Sequence, residues 1–223
     1  MSHYVKFTYE RSCADIAPFD GLAGLNACRR KLLEQRLIGV DSNSVGFGNL
    51  SVRDGGTRNF YITGSATGGL PELTSTDCLR VVAYDFAKNW LRYEGAAIPS
   101  SESLTHAAIY ESDLSTSAVI HCHDSGLWAT LLDRAPTTSK SVAYGTPEMA
   151  YEIMRLFTVS DVRSREIFAM AGHEGGIVTF GKNLENAFDV LMRARELPQP
   201  CNAGREYAGH SGRNARAPRQ PAE

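Results

Sequence analysis

The segment AVIHCH, residues 118–123, carries the strongest indication of the fold. Its short apolar run, followed by polar residues, predicts a β-strand, in which successive side chains point to opposite faces of a sheet. His121 and His123 are therefore expected on one face and Cys122 on the other. Two imidazoles on one face can bind a divalent cation together, although two polar histidines at a solvated strand end would give the same pattern.

Helices and short strands are predicted on both sides of this segment. Helical spacing of apolar residues predicts helices at 21–38, 101–111, 127–132, 147–157 and 183–196. Alternating or short apolar runs predict strands at 49–53, 60–63, 79–86, 90–93, 118–123, 166–171 and 176–180. The first half is thus strand-rich, and the second half alternates helix with strand. Together they predict an α/β fold with an antiparallel sheet in its first half.

Composition divides the chain into one domain, residues 1–197, and a C-terminal tail, residues 198–223. Residues 1–19 are mixed in character and contain Pro18, so we expect an N-terminal arm there. The tail is rich in Pro, Gly, Arg and Asn and nearly free of apolar side chains, which is typical of a mobile segment. Its arginines could also contact a partner.

Charge and composition exclude several classes of protein. The 223-residue chain is 43% hydrophobic and 22% charged, as in an average soluble globular protein, which excludes extended disorder. A net charge of −2 gives no reason to expect binding to nucleic acid or to an anionic membrane. No apolar run reaches the roughly 20 residues of a membrane-spanning helix, and the N-terminus has no signal-peptide pattern. Five cysteines without a CxxC pair favour free thiols in a cytoplasmic protein.

A third histidine strengthens the prediction of a metal site. His173 lies in the segment AGHEGG, residues 171–176, whose glycines permit a tight turn that brings the ring inward. Three neutral imidazoles leave one coordination position of a zinc ion open, which is typical of a catalytic metal. Such a metal polarises a carbonyl or stabilises an enediolate as a Lewis acid. His121, His123 and His173 are therefore predicted to bind one divalent metal ion.

Glu102 is the candidate acid or base, because it opens the helix that leads into the strand of His121. A glutamate that only interacts favourably with the helix dipole would fit this position equally well. Ser100 or Ser101 is the expected N-cap of the same helix. His106 lies one turn further on, and we expect it to be buried in a structural role.

Small polar residues predict an anion pocket. Asn49, Ser100, Ser101 and the loop GSATGG, residues 64–69, offer an amide, hydroxyls and accessible backbone N–H groups. Ordinary turn chemistry and helix capping would also account for them. The chain has no G-x-G-x-x-G at a strand-to-helix junction and no GK[ST] motif, so nucleotide-binding folds are not supported.

Taken in order, four motifs resemble those of the class II aldolase and adducin-head family. They are GNLSVR (48–53), PSSE (99–102), IHCH (120–123) and AGHEGG (171–176), with a glycine-rich loop after FYIT and with NLENAF after the last motif. The most specific feature is that Glu102 precedes His121 by nineteen residues. The resemblance covers residues 21–196. It implies a three-layer α/β/α fold with a central sheet that is largely antiparallel or mixed.

The resemblance also implies roles for individual residues. His121, His123 and His173 would be the metal ligands, with zinc as the usual ion of the family, and Glu102 would be the acid or base that approaches the metal when substrate is absent. The substrate phosphate would be bound by Asn49, Ser100 and Ser101. A Thr-Gly pair of the aldolase has the same task, and here either Gly64-Ser65 or Thr67-Gly68 could correspond to it. A homotetramer with sites between subunits is implied as well.

Two departures from the family pattern concern the substrate more than the metal. Glu174 follows His173 where the sugar-phosphate aldolases usually have glycine. The segment between His123 and Tyr144 is also shorter than in fuculose-phosphate aldolase, and this region supplies the catalytic tyrosine of that enzyme. Tyr144 is a candidate for the equivalent residue, with a packing role as the alternative.

These observations favour a metal-dependent, aldolase-type carbon–carbon lyase. Its substrate would be a small hydroxy-keto compound, sugar-phosphate-like, cleaved through an enediolate. An epimerase, a decarboxylase or a dehydratase would use the same metal platform. A non-catalytic, adducin-like assembly head is the alternative outside enzymology, but such a head need not retain three histidines and Glu102.

Overall fold

The computed structural model describes residues 5–13, 15–132 and 134–198, and its centre is an eight-stranded sheet. The strands are β1 (Thr8–Cys13), β2 (Gly39–Val40), β3 (Gly46–Phe47), β4 (Asn49–Arg53), β5 (Phe60–Thr63), β6 (Cys78–Asp85), β7 (Trp90–Glu94), β8 (Ala118–His123), β9 (Ile167–Ala169) and β10 (Gly176–Gly181). The helices are α1 (Leu22–Glu34), α2 (Ser103–Ser112), α3 (Ser125–Leu131), α4 (Pro147–Val159), α5 (Val162–Arg165) and α6 (Leu184–Arg195).

The main sheet has the strand order β1-β7-β6-β5-β4-β8-β10-β9, and β2 pairs with β3 in a separate hairpin. Neighbouring strands of the main sheet are antiparallel except for β1 and β7, which are parallel. The strands predicted at 49–53, 60–63 and 118–123 have the predicted bounds. The expectation of a largely antiparallel or mixed sheet is confirmed.

Helices cover both faces of this sheet and complete a three-layer α/β/α arrangement. Helices α1 and α6 pack over one face, and α2 and α4 pack over the other. Along β8 the buried side chains alternate between the two cores. Val119 belongs to the core beneath α2 and α4, whereas Ile120 and Cys122 belong to the core beneath α1 and α6. Because the strand has a period of two, His121 and His123 face the same side as Val119.

The N-terminal segment departs from the prediction of an irregular arm. Residues Thr8–Cys13 form β1 and extend the sheet by pairing with β7. All six side chains of β1 are exposed, so its sequence has no buried face to mark it as a strand. Backbone pairing with β7, together with the buried ring of Phe7, holds the segment in place.

Three helices begin directly after a residue that caps them. The side chains of Asp124, Thr146 and Asn183 each accept a hydrogen bond from a backbone N–H in the first turn of α3, α4 and α6. Pro147 occupies the first turn of α4, where its missing N–H has no consequence. These local signals explain why the helix starts in the second half could be predicted closely.

Within the residues that the structure describes, no helix has both the length and the apolar character required to cross a bilayer. The four cysteines in those ranges are free thiols, namely Cys13, Cys28, Cys78 and Cys122. Cys201 and the predicted tail beyond Pro198 lie outside the described residues.

Candidate active site

Strand β8 directs two histidines toward the α2 side of the sheet. His121 lies opposite Asn49 of β4 and Val178 of β10, and His123 lies opposite Gly176 of β10. His121 is buried and His123 is half-buried. The central position of β8 between two strands restricts the movement of both imidazoles.

The turn between β9 and β10 carries the third histidine. It is closed by hydrogen bonds from Met170 N to Gly176 O (2.9 Å) and from His173 N to Met170 O (3.0 Å). Gly175 has a φ of +77°, which L side chains rarely adopt, and a β-carbon there would lie 3.4 Å from His123 Nδ1. This turn brings the ring of His173 over the end of β8.

The three imidazoles form one cluster. Their ring centroids are separated by 5.0 Å for His121 and His123, 5.2 Å for His121 and His173, and 4.6 Å for His123 and His173. Each ring offers a nitrogen, and these nitrogens lie within 4.8 Å of one another. Zinc–nitrogen bonds of about 2.0–2.1 Å would draw them slightly closer together.

Unpartnered atoms show that the cluster fits a metal ion. His121 Nε2, His173 Nδ1 and Glu102 Oε1 are buried, and within the described residues they have no hydrogen-bond partner. Buried polar atoms are normally satisfied, so a group of unsatisfied atoms aimed at one place indicates a missing ligand. Three imidazoles and a carboxylate are a donor set suited to a divalent ion such as zinc.

Burial keeps two of these imidazoles neutral. Removal from water lowers the pKa of His121 well below its ordinary value, against the opposing charge of Glu102. The same desolvation, helped by His173, lowers the pKa of His123 to about 4. A neutral imidazole keeps the lone pair that a metal ion requires, so both rings are available as ligands at neutral pH.

Glu102 lies at the N-cap position of α2, and its two carboxylate oxygens have different surroundings. Oε2 accepts a hydrogen bond from Thr105 Oγ1 at 2.6 Å, whereas Oε1 lies 3.5 Å from Nδ1 of His173. Burial alone would raise the pKa of Glu102, but the imidazoles of His173 and His121 and the hydroxyl of Thr105 outweigh it and lower that pKa to about 2. Glu102 is therefore an ionised carboxylate beside the histidine cluster.

The serines before α2 do not cap it, so the expectation of an N-cap at Ser100 or Ser101 was wrong. The helix begins at Ser103, and Glu102 occupies the N-cap position without a capping hydrogen bond from its side chain. Ser100 Oγ accepts instead from Asn49 Nδ2 at 3.1 Å and from the backbone N–H of Glu102 at 3.3 Å.

Asn49 connects this serine to the histidine cluster. Its Nδ2 lies 3.4 Å from Nδ1 of His121, and its Oδ1 is buried with no hydrogen-bond partner in the described part of the chain. Asn49, Ser100 and Ser101 line one cavity of about 530 Å³, together with Glu102 and His173. The structure thus brings together the polar side chains that the sequence singled out.

The glycine-rich loop forms another part of the cavity wall. Gly64, Ser65, Ala66 and Gly68 line the cavity, whereas Thr67 is buried and its hydroxyl donates to the carbonyl of Gly64 at 2.8 Å. Of the two pairs left open by the sequence, Gly64-Ser65 therefore lines the cavity with both residues and Thr67-Gly68 with only one.

Two residues near the histidine cluster were not predicted from the sequence, Phe47 and Thr105. The ring of Phe47, on the β2–β3 hairpin, lies 5.6 Å from that of His123. Thr105 follows Glu102 by three residues on a helix, a spacing that could have indicated their contact. Phe47 had no such signal, because only the pairing of β2 with β3 places it there.

Tyr144 lies at the cluster. Its ring stacks on His173 with centroids 4.3 Å apart, and the ammonium group of Lys6 lies 3.4 Å from the same ring centroid. Tyr144 also lines the cavity. Both roles considered from the sequence, packing and participation in the reaction, are compatible with this position.

Comparison with known proteins relates this arrangement to a family. The model of the Class II Aldolase and Adducin N-terminal domain matches residues 35–199. An L-fuculose 1-phosphate aldolase has a similar structure, with 24% identity, a TM-score of 0.60, and coverage of 81% of this chain and 84% of that one. L-fuculose-1-phosphate aldolase from Thermus thermophilus is similar as well, with 20% identity, a TM-score of 0.57, and coverage of 78% of this chain and 89% of that one.

YgbL from Klebsiella pneumoniae, described as a candidate aldolase, epimerase or decarboxylase, is also similar, with 19% identity, a TM-score of 0.56, and coverage of 78% of this chain and 86% of that one. No curated protein matches the chain. At such identities the structural similarity shows a common fold, and the expected three-layer α/β/α fold is confirmed. The family match spans well over half of the sequence, from residue 35 to residue 199. The chain therefore belongs to the class II aldolase and adducin N-terminal domain family.

Proposed function

We propose that the protein is a metal-dependent, aldolase-type carbon–carbon lyase that acts on a small, phosphorylated hydroxy-keto substrate. The observation that carries the proposal is a cluster of three imidazoles beside one buried carboxylate, with unpartnered donor atoms on His121, His173 and Glu102. Two of the imidazoles, His123 and His173, and the carboxylate of Glu102 line a single cavity. A cavity of about 530 Å³ is of the size that binds small molecules.

His121, His123 and His173 would hold the metal ion, for which we propose zinc. When bound, the ion supplies Lewis acidity toward the carbonyl and hydroxyl oxygens of the substrate. The three side chains come from a central strand and a tight turn, so little rearrangement is needed to bind it.

Glu102 would move the proton next to the carbonyl. Its carboxylate is ionised at neutral pH, so in the condensation direction it would act as a base and remove the proton from the carbon that then bonds to the aldehyde. In the cleavage direction it would deliver a proton to that carbon after the carbon–carbon bond has broken. Thr105 holds Oε2, which leaves Oε1 directed to the cluster.

The phosphate would bind on the side of the cavity formed by Asn49, Ser100, Ser101 and the glycine-rich loop. In the part of the chain that the structure describes, the backbone N–H groups of Ala66, Thr67, Gly68 and Gly69 donate no hydrogen bond. Consecutive free N–H groups of this kind form an anion-binding concavity. Hydroxyls at the start of α2 add donors near the positive end of its dipole.

Location, assembly, domain extent and partners are proposed as well. We propose that the protein is a cytoplasmic homotetramer and that residues 1–197 form one unit. Its partners would be small-molecule substrates rather than nucleic acid or membranes, since the net charge is −2.

Metal content is the first test. Plasma mass spectrometry of the purified protein is expected to give about one zinc or similar ion per chain, and a His121→Ala/His123→Ala double variant is expected to lose it. Little metal in the unaltered protein, even after incubation with divalent ions, would contradict the lyase mechanism and favour a non-catalytic, adducin-like head.

Proton transfer and bond cleavage can be separated in one experiment. Hydroxy-keto phosphates are incubated in deuterated water and followed by NMR, which reports deuterium exchange next to the carbonyl and the appearance of cleavage products. Glu102→Gln is expected to abolish both signals, and Glu174→Gln, which removes an exposed carboxylate nearby, is expected to leave them unchanged. Exchange without cleavage, together with inversion at the exchanging carbon, would replace the lyase by an epimerase-type reaction on the same platform.

A further inference from the structure

Arg29 of α1 is a fully buried cation with an unusual set of partners. Its side chain has no exposed surface, and among the described residues it forms no ion pair with a carboxylate. Nε and Nη1 of Arg29 are also buried without a hydrogen-bond partner there. The negative charge of Asp77 acts on Arg29, but the effect of burial is larger. Burial of a charge without an adjacent countercharge is unfavourable, so such a residue requires a physical explanation.

Within the described residues, the side-chain hydrogen bonds of Arg29 go to the glycine-rich loop and to Leu70, which directly follows it. Nη2 donates to the carbonyl oxygens of Thr67 and Leu70, each at 2.8 Å, and lies 3.4 Å from that of Gly68. In a trans peptide the C=O and N–H bonds point in opposite directions. Carbonyls that face Arg29 therefore turn the N–H groups of Gly68 and Gly69 away from the guanidinium.

These N–H groups belong to the set that has no acceptor within the described residues. Gly68 lines the cavity, and it has no room for a side chain, because a β-carbon there would meet the backbone of Gly39 and Phe47. The hydrogen bonds of the guanidinium thus set the direction of the N–H groups of Gly68 and Gly69. The close backbone of Gly39 and Phe47 restricts rotation of these peptide units.

The charges around the cavity also favour a role for Arg29 in anion binding. No lysine or arginine is among the described residues that line the cavity, whereas the acids Asp41 and Glu102 do line it. A phosphate group carries a charge of about −1.5 to −2 at neutral pH. Burial lowers the pKa of Arg29, but a guanidinium remains protonated at neutral pH. One peptide unit separates its charge from the N–H of Gly68, and water does not screen a fully buried cation.

We propose that Arg29 is a positioning residue for anion binding: it orients the N–H groups of Gly68 and Gly69 and supplies a buried positive charge next to the phosphate. This inference rests on the proposed function, in which the same loop binds the substrate phosphate.

Calorimetric titration of the full-length protein with inorganic phosphate tests the proposal. Arg29→Met is expected to weaken phosphate binding about tenfold or more, which corresponds to about 1.4 kcal/mol. Arg29→Lys keeps the charge but cannot reach all three carbonyls, so its affinity is expected between those of Arg29→Met and the unaltered protein. Arg30→Met is the matched control, since it removes the same charge one residue along α1, at an exposed position, and is expected to change affinity less than about twofold.

Phosphate binding without a metal ion distinguishes the role of Arg29 from the proposed function. The titration is repeated in the His121→Ala/His123→Ala background, where phosphate cannot be held by a metal ion. Equal affinities for Arg29→Met and the unaltered protein would overturn the role of Arg29 and leave the proposed function standing. Absence of phosphate binding in the unaltered protein would overturn both the phosphorylated substrate and the role of Arg29.

A measurement without substitution covers the case in which Arg29→Met fails to fold. The Nε–H resonance of Arg29 is followed by ¹⁵N NMR during the same titration, with Arg30 as the internal reference. The Arg29 signal is expected to move with phosphate saturation and the Arg30 signal to stay in place. An unmoved Arg29 signal at saturating phosphate would contradict the proposal.

Discussion

Thr105 supports Glu102 through a short hydrogen bond inside the protein. The hydroxyl lies 2.6 Å from Oε2, and both residues are buried. Hydrogen bonds to the charged form of a carboxylate stabilise that form and lower its pKa. The bond therefore has two consequences, the orientation of Oε1 toward His173 and the ionisation of Glu102.

Removal of this donor is expected to shift the pH dependence of turnover. Thr105→Val leaves the shape of the side chain nearly unchanged but destabilises the charged carboxylate, so the pKa of Glu102 rises. The acid limb of the pH–rate profile should move to higher pH by about one unit, whereas Thr105→Ser, which keeps the hydroxyl, should move it little. Identical acid limbs for all three proteins would exclude a contribution of Thr105 to Glu102 ionisation.

His106 is buried beside the site and has a structural partner. Its Nδ1 lies 2.7 Å from Ser51 Oγ, which also contacts the hydroxyl of Tyr110 at 2.7 Å. Burial lowers the pKa of His106 from 6.5 to about 4, with the charge of Glu102 opposing this shift. The interior position expected for His106 from the sequence agrees with these contacts.

Stability is expected to depend on the protonation of His106 in acid. Between pH 6.5 and about 4 the unfolded chain binds a proton that the folded chain does not, so the free energy of unfolding falls as the pH falls. The contribution of His106 is complete above pH 6.5 and amounts to roughly 3 kcal/mol at most, at about 1.4 kcal/mol per pKa unit. His106→Gln should flatten this slope in urea titrations of metal-free protein, and equal slopes would contradict the assignment.

At the level of elements, the glycine-rich loop between β5 and β6 contains local strain. Ala66 has a φ of +62°, in the left-handed region, which is less favourable for L residues by a free energy of roughly 1–2 kcal/mol. Neighbouring contacts hold it there, since Thr67 bonds to Gly64 within the loop and Arg29 holds the next carbonyls. A loop with this fixed geometry can keep its N–H groups in place for a ligand.

Ala66→Gly is expected to stabilise the fold by up to about 1 kcal/mol, because glycine relieves the left-handed strain although it adds freedom to the unfolded chain. Ala27→Gly, at an exposed position inside α1, is the control with the opposite sign and should destabilise the fold by about 1 kcal/mol. Urea denaturation measures both changes. A loss of stability in Ala66→Gly similar to that in Ala27→Gly would show that the loop is not strained at Ala66.

At the level of the whole molecule, the site depends on three parts of the fold that meet at one place. Strand β8 supplies two histidines, the turn after β9 supplies His173, and the start of α2 supplies Glu102. The three-layer packing brings α2 onto the face of β8 where the histidines lie. A change in that packing would therefore move the carboxylate away from the imidazoles, even if the strand and the helix themselves stayed intact.

The proposed homotetramer can be tested by measuring the molar mass of the protein in solution. Leu114, Val159 and Ile98 are exposed in the single chain at 75%, 63% and 54%, and burial by neighbouring subunits would remove apolar surface from water. Light scattering after size-exclusion chromatography should give four times the mass of one chain at micromolar concentration. A mass of one chain across a dilution series would contradict the homotetramer.

Much of the fold could be predicted from short-range patterns. The bounds of β4 follow from its alternation and those of β5 and β8 from short apolar runs. Helices α4 and α6 begin where Thr146 and Asn183 cap them. β1 could not be predicted, because its six side chains are exposed and only pairing with β7 makes it a strand. The β2–β3 hairpin is too short to carry a periodic signal.

By itself, the sequence determined which residues are chemically suited to a site: His121 and His123 on one face of a strand, His173 among glycines, and Glu102 before a helix. Spacing along a strand sets the face of a side chain, so the first pair required no tertiary information. Only the tertiary structure decided that His173 lies within ring contact of that pair and that Glu102 lies 3.5 Å from His173. Contacts between residues far apart in the chain depend on how sheet and helices pack, and no local pattern encodes that packing.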